Sequence, residues 1–175
     1  MREPHKHCHY CGEPYDSSRV QQWPRTCGAC HETAWMNPKP VVVVPVKIVG
    51  GGLLTVRRNI EPEKGKFAFA GGYIDHGETW QQAAARELRE ETSGLVQLVP
   101  EDFSFLGVAT ASNKNVLIFA VPKNVILSVD VSKFEPNPEV SELKILRAPA
   151  PLAWSTHTQF AHAYFVGNMQ WPKFE

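Results

Sequence analysis

One stretch of the chain decides the fold: residues 72–95 read GYIDHGETWQQAAARELREETSGL. Thr79, followed three residues later by Gln82, is a capping-box pair, which predicts that a helix begins here. The residues from Trp80 to Thr92 are strong helix formers, and Gly94 is a suitable C-terminal stop. The pattern therefore predicts one helix enclosed by two glycine-containing segments.

Three carboxylates share one face of this predicted helix. Glu87, Glu90 and Glu91 stand at i, i+3 and i+4, and like charges so placed repel one another unless a cation lies among them. Divalent ions such as Mg²⁺ and Mn²⁺ take oxygen ligands and commonly keep a substrate phosphate in their coordination shell. A solvated acidic face paired with Arg86 and Arg89 is the alternative. The helix by itself leaves both interpretations open.

The wider spacing resembles a known motif. Gly72, Glu78 and the run Arg86-Glu87-Leu88-Arg89-Glu90-Glu91 resemble the Nudix box of the Nudix hydrolases. The agreement fixes several residue types over about twenty positions. Two departures are visible: Thr92-Ser93 stand where the family usually has one residue, and Ala70 stands where proline is common. Neither departure removes a carboxylate.

The resemblance extends over residues 38–155 and implies a Nudix-type α/β/α sandwich with a mixed sheet. Matched residue by residue, it implies a Mg²⁺ or Mn²⁺ site with these oxygen ligands: the Gly72 carbonyl, Glu87, Glu90 and Glu91. Glu78 and Arg86 are implied as braces between the loop and the helix. The family's chemistry is hydrolysis of a diphosphate that links a nucleoside to a second group X.

A base or an additional metal ligand is expected outside the box. The segment 138–144, PEVSELK, resembles the E-x-x-E stretch before the family's late strand. Glu139 is the first candidate and Glu142 the second, with ordinary loop carboxylates as the alternative. Arg57 and Arg58 close a predicted strand and are candidates for binding a substrate phosphate, with plain surface charge as the alternative.

Strands are predicted before and after the box. Residues 41–49 are rich in Val and Ile, and residues 53–57 return after a glycine turn. Further strands are expected at 103–111 and 116–122, and a short helix at 157–166. Alternation favours the core over base stacking for three aromatic residues, Phe67, Phe69 and Tyr73.

All four cysteines lie in the first 30 residues. They form two C-x-x-C units separated by 15 residues, at the short edge of a zinc-site spacing. Zinc takes four tetrahedral ligands, and the pattern predicts a structural zinc ribbon held by Cys8, Cys11, Cys27 and Cys30. A mixed set that includes histidines at positions 5, 7 or 9, or two disulfides in a secreted protein, are the alternatives.

We therefore predict a zinc ribbon over residues 1–37 and a Nudix hydrolase domain over residues 38–175. Zinc ribbons precede the catalytic domain in some relatives, notably the NADH pyrophosphatase branch. That branch carries a Ser-Gln-Pro-Trp-type motif after the box, and the corresponding residues 110–115, TASNKN, lack it. The difference argues against NADH and NAD-capped RNA as substrates.

The resemblance implies hydrolysis of an ADP-X compound, such as ADP-ribose, FAD or an NAD(H)-like dinucleotide, to AMP and a second phosphate. The alternative is a non-catalytic Nudix-fold sensor or regulator that binds ADP-ribose-like ligands. Relatives are often homodimers, so a dimer is a further expectation.

Composition excludes several other classes of protein. The 175 residues are 43% hydrophobic, which is enough for a core, and carry 18 basic and 18 acidic residues. A formal charge of zero argues against binding nucleic acid by bulk electrostatics. The polar N-terminus lacks an apolar signal region, and the most apolar run, 41–54, is broken by Pro45 and Lys47. These features predict a soluble cytoplasmic protein without membrane contact.

Overall fold

Residues 6–18, 20, 22–123 and 128–167 are described by the computed structural model. Contacts between Cα atoms divide the chain into two compact units, Met1–Pro38 and Lys39–Glu175. Within the described ranges, no helix is both long enough and apolar enough to span a membrane. Position 5, one of the three histidines near the first cysteine pair, lies outside the described residues.

The smaller unit contains one short hairpin. Strand β1 (Arg25–Thr26) pairs antiparallel with β2 (Thr33–Ala34). The interior of the unit is small and consists mainly of Cys8, Cys27 and Tyr15, each less than a tenth exposed. So few apolar side chains supply little hydrophobic stabilisation, and units of this size usually depend on a metal or on disulfides.

In the larger unit, residues 39–123 and 128–167 form seven strands and two α-helices. In chain order they are β3 (Pro40–Val43), β4 (Val46–Lys47), β5 (Leu53–Arg58), β6 (Phe67–Ala68), α1 (Trp80–Glu91), β7 (Phe103–Thr110), β8 (Val116–Pro122), β9 (Val140–Leu146) and α2 (Ser155–Phe165). Short 3₁₀ turns occupy Pro100–Asp102 and Val131–Lys133.

The strands form two sheets. In the first, β3 runs parallel to β8 and β8 runs antiparallel to β7, which makes this sheet mixed, as predicted. In the second, β9 pairs with β5 from Leu53 to Arg58, while β4 and β6 pair with successive parts of β5. All pairings in this second sheet are antiparallel.

The single strand predicted over residues 41–49 is divided at Pro45. Before this proline the chain belongs to the sheet of β8, and after it the chain pairs with β5. Proline has no backbone N–H and cannot continue a ladder of hydrogen bonds, so the chain changes sheets where the donor is missing. Pro45 therefore connects the two sheets.

Helix α1 begins where the sequence predicted. Thr79 is the N-cap, and both hydrogen bonds of the capping box with Gln82 are present. The second helix begins earlier than predicted, because the N-cap of α2 is Trp154, which makes no side-chain cap bond. The Thr158 hydroxyl instead ties this turn, donating to the Trp154 carbonyl and accepting from the Leu152 N–H.

The two helices cover opposite faces of the sheets. Val42 belongs to the core cluster that contains Leu88 of α1, whereas the next residue, Val43, belongs to the cluster that contains Phe160 of α2. Successive residues of a strand point to opposite faces. A strand whose side chains pack into a core on each face is therefore buried on both sides. This arrangement is the predicted α/β/α sandwich.

A buried histidine in the first turn of α2 points into the core. His157 is 4% exposed, and its Nδ1 accepts a hydrogen bond of 3.1 Å from the Phe69 N–H. Its ring stacks on Phe69 and meets the edges of Trp154 and Phe119. Burial, reinforced by the charge of Arg58, lowers the pKa of His157 to about 3. The imidazole is therefore neutral in the folded protein, with its proton on Nε2.

This depressed pKa predicts a loss of stability in acid. Unfolding returns the His157 pKa to about 6.5, so between pH 6.5 and pH 3 the unfolded chain binds a proton that the folded chain does not. We expect His157 to contribute a fall of about 2 kcal/mol in unfolding free energy from pH 7 to pH 5. Urea unfolding of the wild type and of His157→Gln at both pH values measures it. An equal pH dependence in the two proteins would contradict the assignment.

Candidate functional site

Two glycines bring a loop against helix α1. Gly71 and Gly72 run beside β3, where the Val42 N–H donates to the Gly72 carbonyl at 2.9 Å. Gly71 has a φ of +149°, and a Cβ there would overlap the Val42 carbonyl oxygen. A Cβ at Gly72 would overlap the carboxylate of Glu87. Side chains at these two positions would therefore displace either β3 or the carboxylate.

Arg86 connects the loop to the helix. Its guanidinium forms a bidentate pair with Glu78, Nε to Oε1 at 2.7 Å and Nη2 to Oε2 at 2.8 Å. Nη1 donates to Glu87 at 2.7 Å and to Glu90 at 3.3 Å, and Nη2 also donates to the Tyr73 carbonyl at 3.0 Å. The hydrogen bonds from Arg86 lower the pKa of Glu78 to about 2. Arg86 thus joins Glu78 and the Tyr73 backbone of the loop to helix α1.

Two carboxylates of α1 are buried. Glu87 is 9% exposed and Glu91 is 6% exposed, although both are charged residue types. Glu87 has Arg86 as its cation, whereas Glu91 accepts a hydrogen bond from the Gly71 N–H at 2.9 Å. Burial, helped by the nearby charges of Glu87 and Glu139 and opposed by the Gly71 hydrogen bond, raises the pKa of Glu91 to about 8. The pKa of Glu87 is raised by burial as well.

Glu90 and Glu139 are more exposed than the buried pair Glu87 and Glu91. Glu90 is half exposed and takes the weaker of the Nη1 hydrogen bonds from Arg86. Glu139 is exposed at the start of β9, and its charge acts on both Glu87 and Glu91. Glu142 pairs with the Arg57 guanidinium at 2.7 Å. Of the two late carboxylates, Glu139 is therefore the one beside the α1 carboxylates.

A cavity of about 800 Å³ lies beside the buried carboxylates of α1. Glu87, Glu91 and Glu139 line it together with Gly71 and Gly72. Its volume is within the range of ligand sites, about 300–1,000 Å³.

The rest of the cavity wall combines aromatic and polar groups. Tyr73 is 50% exposed on this wall, where Lys39 lies over its ring and Asn115 donates to its hydroxyl. The sequence favoured a core position for Tyr73, and this expectation was wrong, whereas Phe69 is buried as expected. Alternation fails at Tyr73 because it follows the two glycines in a loop and touches β3 only through an isolated bridge.

The two arginines that end β5 have separate environments. Arg58 lines the cavity, where its guanidinium lies 4.7 Å from the centre of the Trp154 ring and donates to the Pro62 carbonyl. Arg57 is on the other face of the strand and is engaged by Glu142 and by the Phe67 ring. Only the first is placed to meet a ligand in this cavity.

Trp154 and His157 are cavity residues that the sequence did not indicate. Both belong to the first turn of α2 or its cap, some 60 residues beyond the box. A tryptophan and a histidine near a helix start carry no spacing signal, so only the folded chain brings them to the cavity.

The donor set is suited to a hard divalent cation. The side chains of Glu87, Glu91 and Glu139 offer oxygen atoms to one cavity, which Gly72 also lines, and the Gly72 carbonyl has one lone pair used by Val42. Oxygen ligands are those that Mg²⁺ and Mn²⁺ prefer. Two buried, mutually repelling carboxylates next to a third are costly without a cation, so the residues present fit such an ion.

The four cysteines of the smaller unit converge on one point. Their Sγ atoms all lie within 4.8 Å of one another, and the Cys8–Cys30 and Cys11–Cys27 pairs are both 3.7 Å apart. A tetrahedral ion with metal–sulfur bonds of about 2.3 Å requires sulfur atoms about 3.8 Å apart. The geometry therefore fits a tetrahedral metal with four thiolate ligands.

The two cysteine turns have the same backbone hydrogen bonds. Cys8 donates its N–H to Glu13 and accepts from Gly12, and Cys27 donates to Glu32 and accepts from His31. Gly12 and His31, each next to the second cysteine of its pair, both have positive φ, +81° and +62°. Two turns of one design facing each other explain how two short segments present four sulfur atoms to one centre.

The thiols differ in their readiness to ionise. Burial opposes ionisation of Cys8, but hydrogen bonds from the Cys11 and Tyr10 backbone outweigh it and lower the Cys8 pKa to about 6. For Cys30 the Glu32 backbone favours the thiolate, but burial and the other three sulfur atoms raise the pKa to about 12. Four thiolates therefore cannot coexist here without a cation.

Comparisons with known proteins agree on one family. A family model described as NUDIX domain matches residues 36–164. Curated relatives include the NAD-capped RNA hydrolases NudC of Salmonella heidelberg, 33% identical over 88 residues, and of Edwardsiella ictaluri, 32% identical over 90 residues. The matches cover 50% and 51% of this chain but 33% and 34% of the relatives, so the chain spans about a third of the length of these relatives.

Solved structures share the fold. A NUDIX hydrolase from Nitrosomonas europaea has a TM-score of 0.65 at 20% identity, over 98% of this chain and 97% of that one. The NUDIX domain of Shewanella oneidensis NrtR, complexed with ADP ribose, has a TM-score of 0.58 at 20% identity, over 73% of this chain and 86% of that one. Both comparisons place the chain in the same α/β/α architecture.

The Arg86 contacts predict a large cost for removing its charge. We expect Arg86→Gln to lower the unfolding free energy by roughly 3 kcal/mol, because the partly buried carboxylates of Glu78 and Glu87 would lose their cation. Arg89→Gln, an exposed position on the same helix, is the matched control and should change it by less than about 0.5 kcal/mol. Urea unfolding without added divalent metal measures both, and equal effects would contradict the bracing role.

Proposed function

Because this chain belongs to the NUDIX domain family, we propose that it is a divalent-metal-dependent hydrolase of nucleoside diphosphates linked to a second group X. The observation that carries the proposal is the cavity in which Glu87, Glu91 and Glu139 stand together. These three carboxylates would repel a diphosphate, so an anionic substrate needs a cation between itself and their side chains.

We assign the cation to the ligands implied by the box. Glu87, Glu90 and Glu91 would hold Mg²⁺ or Mn²⁺, with the Gly72 carbonyl as a further oxygen and Glu139 as the ligand from β9. When bound, such an ion neutralises phosphate oxygens and lowers the pKa of a coordinated water molecule. Glu142 is left out of the set because Arg57 engages it.

The residues around the cation would have separate roles in the reaction. Glu91 releases its proton when a cation enters, because the raised pKa of this carboxyl depends on its being buried without one. Arg86 and Glu78 keep the Gly71-Gly72 loop against α1, which holds the carboxylates at fixed positions. Glu139 is exposed, and the carboxylate oxygen that it does not give to the cation would accept a proton from the attacking water.

Other residues that line the cavity would bind the remainder of the substrate. Arg58 offers a cation for a phosphate oxygen, and Tyr73 and Trp154 offer aromatic surface for a base or another planar group. The cavity volume of about 800 Å³ is consistent with a dinucleotide or a nucleotide sugar.

The reaction consumes one water molecule. Its oxygen bonds to one phosphorus of the diphosphate, and the bond from that phosphorus to the bridging oxygen breaks. The products are a nucleoside monophosphate and the phosphate of X, and the water proton passes to the base and then to solvent. For an ADP-X substrate the nucleotide product is AMP.

The relatives suggest which X compounds to examine. The NudC relatives are named for NAD-capped RNA and the NrtR neighbour is complexed with ADP ribose. In this chain residues 111–115 form the turn between β7 and β8 at the cavity rim, and several of them line the cavity. That turn is short and lacks the motif of the NADH pyrophosphatase branch, so among ADP-ribose, FAD and NAD(H)-like dinucleotides we favour the first two, and we favour NADH and capped RNA least.

A substrate panel tests the proposal directly. With Mg²⁺ or Mn²⁺, we expect turnover of at least one of ADP-ribose, FAD, NADH or NAD, with AMP as a product identified by chromatography. Ap4A, dNTPs and NAD-capped RNA complete the panel. Glu91→Gln should lower kcat about 100-fold or more, because it removes a proposed ligand, while Glu101→Gln, an exposed carboxylate outside the cavity, should not.

No turnover of any compound would refute the hydrolase. Binding of ADP-ribose by calorimetry without any product would then support the alternative, a Nudix-fold sensor or regulator of ADP-ribose-like ligands. Unchanged activity of Glu91→Gln beside an active wild type would refute the ligand assignment alone.

We also propose that Cys8, Cys11, Cys27 and Cys30 hold one structural Zn²⁺. Elemental analysis should find about one zinc per chain, and Cys11→Ser should lose it, because three thiolates bind the ion less tightly. His9→Ala is the control that separates the alternatives: a four-cysteine site keeps its zinc, and a site using His9 does not. Much less than one zinc per wild-type chain would refute the proposal.

A further inference from the structure

The exit of helix α1 is tied to a segment that is distant in sequence. After the C-cap Thr92, Ser93 and Gly94 both have positive φ, +49° and +77°, so the chain turns sharply away from the helix. The Glu90 carbonyl, in the last turn, accepts hydrogen bonds from the Ser93 N–H at 3.1 Å and from Asn137 Nδ2 at 3.0 Å. Asn137 therefore supplies a donor to a helix end where carbonyls lack partners within the helix.

The other end of the same amide holds the backbone at Glu139. Asn137 Oδ1 accepts from the Glu139 N–H at 2.9 Å and from the Val140 N–H at 2.8 Å, and the Asn137 N–H donates to the Val140 carbonyl at 2.9 Å. Only one orientation of the amide gives its nitrogen to carbonyl and hydroxyl oxygens and its oxygen to two N–H groups. One planar side chain thus joins the α1 exit to the segment that carries Glu139.

Ser93 completes this connection. Its hydroxyl donates to the Glu135 carbonyl at 2.7 Å and accepts from Asn137 Nδ2 at 3.2 Å. Ser93 belongs to the Thr92-Ser93 pair that stands where one residue is usual before Gly94, so the longer helix exit supplies the second partner. The exit of α1 and residues 135–140 are therefore joined at three points.

The backbone of Glu139 is held on its other side as well. The Asn59 N–H, just after β5, donates to the Glu139 carbonyl at 2.7 Å, and the next residue, Val140, is fully buried. Between β5 and β9 the register shifts at Arg57 and Arg58, so the start of β9 is not fixed by an even ladder. Asn59 fixes Glu139 relative to β5. The hydrogen bonds of the Asn137 side chain are the ones that fix Glu139 relative to α1.

We propose that Asn137, together with Ser93, is a positioning residue that sets the distance between Glu139 and the carboxylates of α1. The inference rests on the proposed metal site, because it assigns Asn137 an effect on the cation through Glu139. Residues that orient metal ligands without touching the metal typically change its affinity about 10- to 100-fold when they are lost.

Mn²⁺ binding without substrate tests the proposal independently of turnover. Asn137→Ala loses the hydrogen bonds to the α1 exit and those to the Glu139 segment. It should raise the Kd for Mn²⁺, measured by electron paramagnetic resonance, about 10-fold. In a Glu139→Gln background the same change should alter the Kd by less than about twofold, because a residue that acts through Glu139 has nothing left to position. A 10-fold loss in both backgrounds, or no loss in the wild-type background, would overturn the proposal.

A second variant separates the link from local folding. Asn137→Asp keeps the acceptor for the Glu139 and Val140 N–H groups but loses the donor to the Glu90 carbonyl. The added negative charge alone would lower the Kd for the cation. We nevertheless expect a higher Kd than in the wild type, and this result could come only from the lost hydrogen bond to α1. A Kd equal to or tighter than that of the wild type would overturn the link to α1.

Ser93→Ala and Ser132→Ala form a matched pair of controls. Both remove one exposed hydroxyl that donates a single hydrogen bond, but Ser132 bonds to Asp130 and takes no part in the link. We expect a Kd about threefold weaker for Ser93→Ala and unchanged for Ser132→Ala. Equal values for the two would overturn the role of Ser93. If the wild type turns over substrate and Asn137→Ala has the same Kd for Mn²⁺, only this inference is refuted. If the wild type binds no Mn²⁺, the proposed metal site is refuted too.

Discussion

The structure of the larger unit depends on one guanidinium. Arg86 joins Glu78 in the loop, Glu87 and Glu90 on the helix, and the Tyr73 carbonyl next to the two glycines. A guanidinium presents its donors in a rigid planar fork, so binding several acceptors at once fixes their relative positions. An ammonium group at this position has no such fork and could not hold the loop and the helix in one geometry.

Around this fork, acidic side chains are kept at a cost to stability. Glu91 is as buried as many core residues, and Gly72 leaves room for the Glu87 carboxylate, which any larger residue would displace. Repulsion and desolvation both favour the protonated or the cation-bound form of such groups. The same logic holds for the four sulfur atoms of the smaller unit, which lie at distances suited to a tetrahedral ion. In each unit acidic groups lie close together, and a bound cation would lower the cost of keeping them charged.

The longer exit from α1 shows how a small departure in sequence acquires a structural role. Judged by spacing alone, Thr92-Ser93 alters only the end of the helix. In the folded chain Ser93 meets Glu135 and Asn137, and through them the segment of Glu139. A hydroxyl finds its partner only when the two segments meet, so its role could not be recognised from local spacing.

The sequence by itself determined helix α1, its capping box and the spacing of Glu87, Glu90 and Glu91, because these features depend on contacts within four residues. It also determined the two cysteine pairs, since each lies in one turn. Tertiary structure alone decided that Pro45 divides a strand between two sheets, that Tyr73 is exposed and that Arg57 engages Glu142. It also brought Trp154 and Asn137 to the site. These outcomes depend on pairing between segments tens of residues apart, and no local pattern of residue types encodes which partner a strand or a side chain will meet.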